Sequence, residues 1–188
     1  SNVLGAVTTP FMTKMMAQNL ELYQAGTDVT ASGVYYSSTS PYNLIASPFV
    51  SGWFNPSGAG ITIGLLVAIM LFSKRDDYKA IAKLAIPCGI FNINEPIIFG
   101  IPMVMNPLLG IPFFLAPLAT VILGYVVQSV GICPLYVIDV PWTTPVGIFG
   151  FLASGGNLWG ALWQIIIIVG VSTLVYTPFV IASNREEA

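Results

Sequence analysis

Three tracts of this chain, residues 29–73, 96–138 and 140–184, contain no formally charged side chain. A helical membrane crossing needs only about 20 consecutive apolar residues, so each tract is long enough to enter or cross a bilayer. Soluble domains carry about 25% charged residues; here the figure is 7%, with 55% hydrophobic residues and a mean hydropathy of +0.82. The expected fold class is an all-α integral membrane protein, with transmembrane helices and two re-entrant hairpins. Barrel strands alternate in character, whereas Leu65-Leu66-Val67-Ala68-Ile69 and Ile165-Ile166-Ile167-Ile168-Val169 are apolar on every side.

The formal net charge of −2 gives no basic surface, so no nucleic-acid partner is expected. Cys88 and Cys133 sit in apolar surroundings, without CxxC spacing and without a histidine anywhere in the chain. They read as buried small hydrophobes, and neither a metal nor a cofactor is expected. The opening Ser1-Asn2-Val3 has no basic n-region, so it reads as the start of a fragment or processed piece and no signal peptide is expected.

Thr9-Pro10 reads as the N-cap and first residue of an amphipathic interfacial helix within residues 1–28. Met12, Met16, Leu20 and Tyr23 form its apolar stripe, opposite Lys14, Gln18 and Glu21. Residues 29–57 read as a long loop whose Tyr35, Tyr36, Tyr42 and Trp53 suit the membrane interface. A crossing follows at 58–73, where Gly58, Gly60 and Gly64 would let helices approach closely. Lys74, Arg75, Lys79 and Lys83 then mark a cytoplasmic loop, and Arg185 suggests that the tail is cytoplasmic too. An even number of full crossings must separate two cytoplasmic points. Four apolar segments remain, and two of them are broken by proline, glycine, asparagine and acid. The economical solution is crossings at 111–131 and 158–181, with re-entrant hairpins at 80–105 and 138–156. Broken helices at membrane depth line cavities or are buried in protein, and paired ones point to a transporter's substrate site.

Glu95 is the only charged side chain between Lys83 and Asp139. A carboxylate in such a tract costs about 2.5–3.5 kcal/mol on insertion scales, and such acids are functional by default. Asn92 and Asn94 offer amides beside it, and Pro96 stops a regular helix from running through it. A carboxylate with neighbouring amides can accept several hydroxyl hydrogen bonds at once, as a sugar requires. Asparagine also suits a hairpin tip on turn geometry alone, so both readings stand for Asn92 and Asn94. In the second hairpin Trp142, between Pro141 and Pro145, is either an interfacial anchor or a platform for a sugar ring. Asp139 reads as a loop acid on the outer side, and Trp159 and Trp163 as belt or packing residues.

The run Gly89-Ile90-Phe91-Asn92-Ile93-Asn94-Glu95-Pro96-Ile97-Ile98-Phe99-Gly100, continued through Pro102-Met103-Val104-Met105-Asn106-Pro107, resembles a known family. It is enzyme IIC, the membrane component of bacterial sugar phosphotransferase systems, in the lactose/cellobiose/diacetylchitobiose branch. The resemblance covers the C-terminal half of such a permease. It implies a multi-pass protein of the bacterial inner (cytoplasmic) membrane, homodimeric at full length, that binds a disaccharide near mid-membrane. The sugar is presented to the phosphocysteine of a cytosolic IIB component, itself served by IIA. Under this resemblance Glu95 is the catalytic and sugar-holding acid and Trp142 the ring-stacking residue; Asn92 and Asn94, read from the residues themselves, are the expected substrate-binding neighbours. The family's histidine, in an Ile-His-Gly-Ser-Asn type sequence, has no counterpart here, where the chain opens at Ser1-Asn2. An ion- or proton-coupled secondary transporter using Glu95 as its titrating group, or a non-transporting membrane fragment, are the alternatives that the residues alone leave open.

Overall fold

The structure, a computed structural model, describes residues 2–26, 43–101, 103 and 106–184. Among the described residues there are helices and turns and no strand. In chain order the helices are α1 (Asn2–Gln24), α2 (Ser47–Trp53), α3 (Thr62–Phe72), α4 (Asp76–Ile90), α5 (Glu95–Gly100), α6 (Pro107–Ser129), α7 (Ile148–Ala153), α8 (Leu158–Ile165) and α9 (Ser172–Ser183). A π-helical turn, Ile166–Val171, joins α8 to α9 without a break. Two helices are long and apolar enough to cross a membrane, Pro107–Ser129 and the continuous Leu158–Ser183. The second, at 26 residues, is about 39 Å long.

The centre of the bundle is α3 lying along α9, with α6 against α9 and α4 folded back on α3. Gly64 makes the α3–α9 approach close: a Cβ there would stand 2.5 Å from the Ser172 carbonyl carbon. Asn184, just past α9, accepts from the Lys74 N–H at 2.8 Å and donates to the Phe72 carbonyl at 3.0 Å. Residues 110 apart thus meet, and α3 and α9 end side by side next to the basic loop. In that loop Arg75 pairs with Asp77 at 2.7 Å and lies 3.9 Å over the Tyr78 ring. The hydrogen bond from Arg75 holds the exposed Asp77 carboxyl below its ordinary range.

Several expected boundaries move. α1 begins at Asn2, so Pro10 lies inside the helix and is not its start. Its missing N–H removes one helical hydrogen bond, and the helix runs on. The stripe of Met12, Met16, Leu20 and Tyr23 is half-buried, opposite exposed Lys14, Gln18 and Glu21. It faces protein at its C-terminal end, where Leu22 and Tyr23 pack on the core and the buried Asn19 amide grips the Asn43 backbone at both N–H and carbonyl. Tyr35, Tyr36 and Tyr42 lie outside the described residues, as do Pro102, Val104 and Met105 in the first hairpin segment and the Arg185 tail.

Trp53 is not an interfacial residue of a loop. It ends α2, which has Pro48 in its first turn, and is wholly buried. Its indole stacks on Tyr136 at 5.3 Å and 11°, and Phe149 meets Tyr136 edge-on, an arrangement that adds attraction beyond area buried. Nor do residues 58–61 belong to a helix: α3 starts only at Thr62 and its 11 residues cover about 16 Å, half of a bilayer core. Gly58 and Gly60 sit in the preceding turn, so close helix approach holds for Gly64 alone of the three.

Candidate functional site

α4 ends in a Schellman-type cap. The Ile93 N–H returns to the Cys88 carbonyl at 3.0 Å and the Asn92 N–H to the Gly89 carbonyl at 3.2 Å. Asn92 itself is left-handed at φ 65°. Glycine is the usual residue at this position and asparagine the next most tolerant. Its side chain does what glycine could not. Oδ1 accepts from the Ser57 N–H at 2.7 Å, while Nδ2 donates to the Trp142 carbonyl at 2.6 Å and the Thr144 carbonyl at 2.7 Å. One buried amide therefore joins the turn between α4 and α5, the 142–144 segment and the turn before α3.

That turn is unusual. Ser57 (φ 59°), Gly58 (71°), Gly60 (82°) and Ile61 (50°) are all left-handed, and a β-branched residue such as Ile61 seldom adopts this conformation. The fold holds it from several sides. Thr62 Oγ1 donates to the Ser57 carbonyl at 3.1 Å, Tyr176 Oη to the Gly60 carbonyl at 2.6 Å, and Asn94 Nδ2 to the Ala59 carbonyl at 2.8 Å. A Cβ on Gly58 would lie 2.5 Å from Asn94 Cγ, so the asparagine packs flat on bare backbone.

The two asparagines point into the protein and their neighbours point out. Asn92 and Asn94 are buried, whereas Phe91, Ile93 and Glu95 are exposed. Glu95 opens α5, followed at once by Pro96. Across the junction Trp142 is 63% exposed although its carbonyl is held by Asn92; Pro141 and Thr143 beside it are exposed as well. The arrangement presents a carboxylate and an indole from two tips tied together behind them. A carboxylate accepts hydrogen bonds from hydroxyls and an indole face takes an apolar ring face. Among the described residues the Asn94 Oδ1 accepts no hydrogen bond, so one amide oxygen remains beside Glu95. Asp139 is exposed, two residues before Pro141. Cys88 and Cys133 are free thiols, half-buried and buried respectively.

Two grooves of about 340 and 310 Å³ lie elsewhere, one bounded by Phe49, Val121 and Tyr125 and the other by Leu66, Met70 and Ile90. Their walls are apolar and aromatic and do not include Glu95, so they have nothing with which to orient a polyol. Sequence reasoning missed Gln164. It is 1% exposed, and its Oε1 accepts from both the Gly147 and Gly150 N–H groups at 2.8 Å. Its signal was available: it is the one polar residue in the run from Leu162 to Gly170. Asn19, on the apolar stripe of α1, carried the same signal.

Residues 1–117 match the family described as Phosphotransferase system, EIIC. The chain is 39% identical to the lichenan permease IIC component of Bacillus subtilis (strain 168), over 95% of this chain and 37% of that protein. It is 44% identical to the cellobiose-specific EIIC component of Lactococcus lactis subsp. lactis (strain IL1403), over 72% of this chain and 27% of the relative. The crystal structure of the transporter ChbC, the IIC component from the N,N'-diacetylchitobiose-specific phosphotransferase system, superimposes with a TM-score of 0.85 at 34% identity. That match covers 98% of this chain and 40% of ChbC, so the chain spans about two fifths of the length of that transporter. The family match, the shared sequence and the shared helical fold lead to one conclusion: this chain belongs to the EIIC family of phosphotransferase-system membrane components.

Proposed function

We propose that this chain forms the sugar-holding part of a phosphotransferase-system permease in the bacterial inner membrane. In this reading it binds a β-linked disaccharide of the cellobiose, diacetylchitobiose or lactose type, and the sugar leaves phosphorylated by a IIB phosphocysteine. The observation that carries the proposal is the outward-facing pair of Glu95 and Trp142 on two tips joined through Asn92.

Helix lengths support a mid-membrane position. α3 has 11 residues and α4 has 15, which puts the Asn92 tip roughly 16–22 Å from the basic end, near the middle of a core about 30 Å thick. α7 lies along α8, whose first residue is at the far end of the long helix, so the second hairpin approaches the same depth from the opposite side. Two re-entrant hairpins meeting tip to tip would line a polar site without exposing broken backbone to lipid. The four basic residues near 74–83 support a cytoplasmic entrance for the first hairpin, on the side from which IIB would act.

In the reaction the sugar hydroxyl oxygen attacks phosphorus as the sulfur–phosphorus bond of the phosphocysteine breaks, the cysteine leaves as its thiolate, and the hydroxyl proton is released to water. Glu95 holds the hydroxyls so that one of them is set for in-line attack, and such positioning can supply several kcal/mol of the barrier. The indole of Trp142 fixes the plane of the ring, and the Asn94 oxygen adds an acceptor. A homodimer is expected of the full-length permease, with IIA acting through IIB.

Glu95→Gln keeps shape but removes charge and turns one acceptor into a donor. A hydrogen bond to a charged group contributes about 1.5–3 kcal/mol, so sugar should bind roughly tenfold more weakly or worse. Calorimetry on the full-length permease checks this, and parental affinity would sink the assignment. Uptake that follows an ion gradient and ignores phosphoenolpyruvate would favour a secondary transporter.

A further inference from the structure

Both hydrogens of the Asn92 side-chain nitrogen are spent on carbonyls, of Trp142 and Thr144, and its oxygen on the Ser57 N–H. Its side chain is left with no donor for a ligand, and the residue is 4% exposed. We infer that Asn92 is a positioning residue: it sets the Trp142 indole against Glu95 and does not itself touch the sugar. This rests on the sugar-site reading above, and it moves Asn92 out of the substrate-binding set that the sequence suggests.

Three observations carry it. The left-handed cap of α4 is a place where glycine would be the easier residue, so the amide is present for its reach and not for the turn. Its partners lie 35, 50 and 52 residues away, so one side chain reaches two distant stretches of the chain. One of those partners is the main chain of Trp142 itself. The indole is 63% exposed, and the main chain that carries it is held by the Asn92 amide. Glu95 follows three residues after Asn92 on the same tip. A single planar group thus serves as the shared origin for a carboxylate and a ring that sit on opposite hairpins.

The test is a double-mutant cycle on sugar affinity in the reconstituted full-length permease. Asn92→Gly preserves the left-handed cap and removes all three bonds; Trp142→Ala removes the ring. Asn92→Gly alone should weaken binding about tenfold or more, on the scale of lost buried hydrogen bonds. In the Trp142→Ala background it should add little, because there is no ring left to misplace. Equal fold-changes in the two backgrounds would overturn the inference, since general loosening of the fold or a direct sugar contact would act without reference to the indole. Parental affinity in Trp142→Ala would instead overturn the sugar-site reading and this inference with it. If Asn92→Gly does not yield monodisperse protein, Asn92→Asp takes its place in the cycle. It keeps the acceptor for Ser57 and sets a carboxylate oxygen against the Trp142 and Thr144 carbonyls. Failure of both variants to fold would make Asn92 a folding residue and remove the positioning role.

Discussion

Replacing Gln164 by Met tests whether one remote side chain holds the start of α7. The helix has no side-chain cap of its own, and its N-cap is Gly147 at φ 89°. The Gly150 N–H is the donor that an N-cap side chain would serve, and the Gly147 N–H the one that a capping box would reach back to; here both are served from α8 by Gln164 Oε1 at 2.8 Å. Its Nε2 meanwhile donates to the Gly52 carbonyl at 3.1 Å, tying in α2. Methionine has similar length and fills the space, so little cavity forms and the loss is polar. Three buried backbone groups lose their partner, at about 1–3 kcal/mol each, and even the low end sums to about 3 kcal/mol. For a chain of this size that corresponds to a fall in Tm of roughly 6–12 °C. The assay is thermal loss of monodispersity of the purified protein in detergent. Gln164→Met melting together with the parent would refute the reasoning.

Gly58→Ala should lower the melting temperature, because alanine in the left-handed region costs about 1–2 kcal/mol and its Cβ would meet Asn94; the same thermal assay reads it. Tyr176→Phe removes only the hydroxyl that supports Gly60, and should destabilise by about 1 kcal/mol with the fold intact by circular dichroism. For orientation, cysteines are placed in a background without Cys88 and Cys133. Lys74→Cys and Asn184→Cys should both react with an impermeant thiol reagent from the cytoplasm, and Asn157→Cys only from outside. Labelling of the first two from opposite faces would contradict the bond between Lys74 and Asn184.

Long uncharged stretches and helix-breaking residues carry their message locally, so α6, the long final helix and the interruption between α4 and α5 were legible. Pro96 and Asn92 marked that interruption because proline and a left-handed asparagine act on their own backbone. What could not be read was which partner each polar side chain would find. Asn92 and Asn94 lie two apart and were expected to offer amides to a ligand, but both turn inward to carbonyls and N–H groups contributed from residues 57–59 and 142–144. Trp53 looked interfacial among serines and tyrosines; only the arrival of Tyr136 and Phe149 from 80 or more residues later makes a core around it. The early start of α1 was hidden for a simpler reason, since a proline after threonine is an ordinary helix beginning and nothing local says that the helix is already under way.

The π-helical turn at Ile166–Val171 has a consequence for how the last helix can change in evolution or by design. A π turn takes in one more residue than the α turn it replaces, and each residue of an α-helix advances the azimuth by about 100°. Gln164 lies before that widened turn and Tyr176 beyond it, and they look toward different elements, Gly147 and Gly60. Deleting a single residue from the wide turn would return it to α geometry and leave the two side chains in nearly the phase they have now, whereas a deletion elsewhere between them, with the wide turn kept, would rotate everything past it by about 100°. The wide turn thus acts as a vernier: it takes up the extra residue so that Gln164 and Tyr176 each keep their own partners.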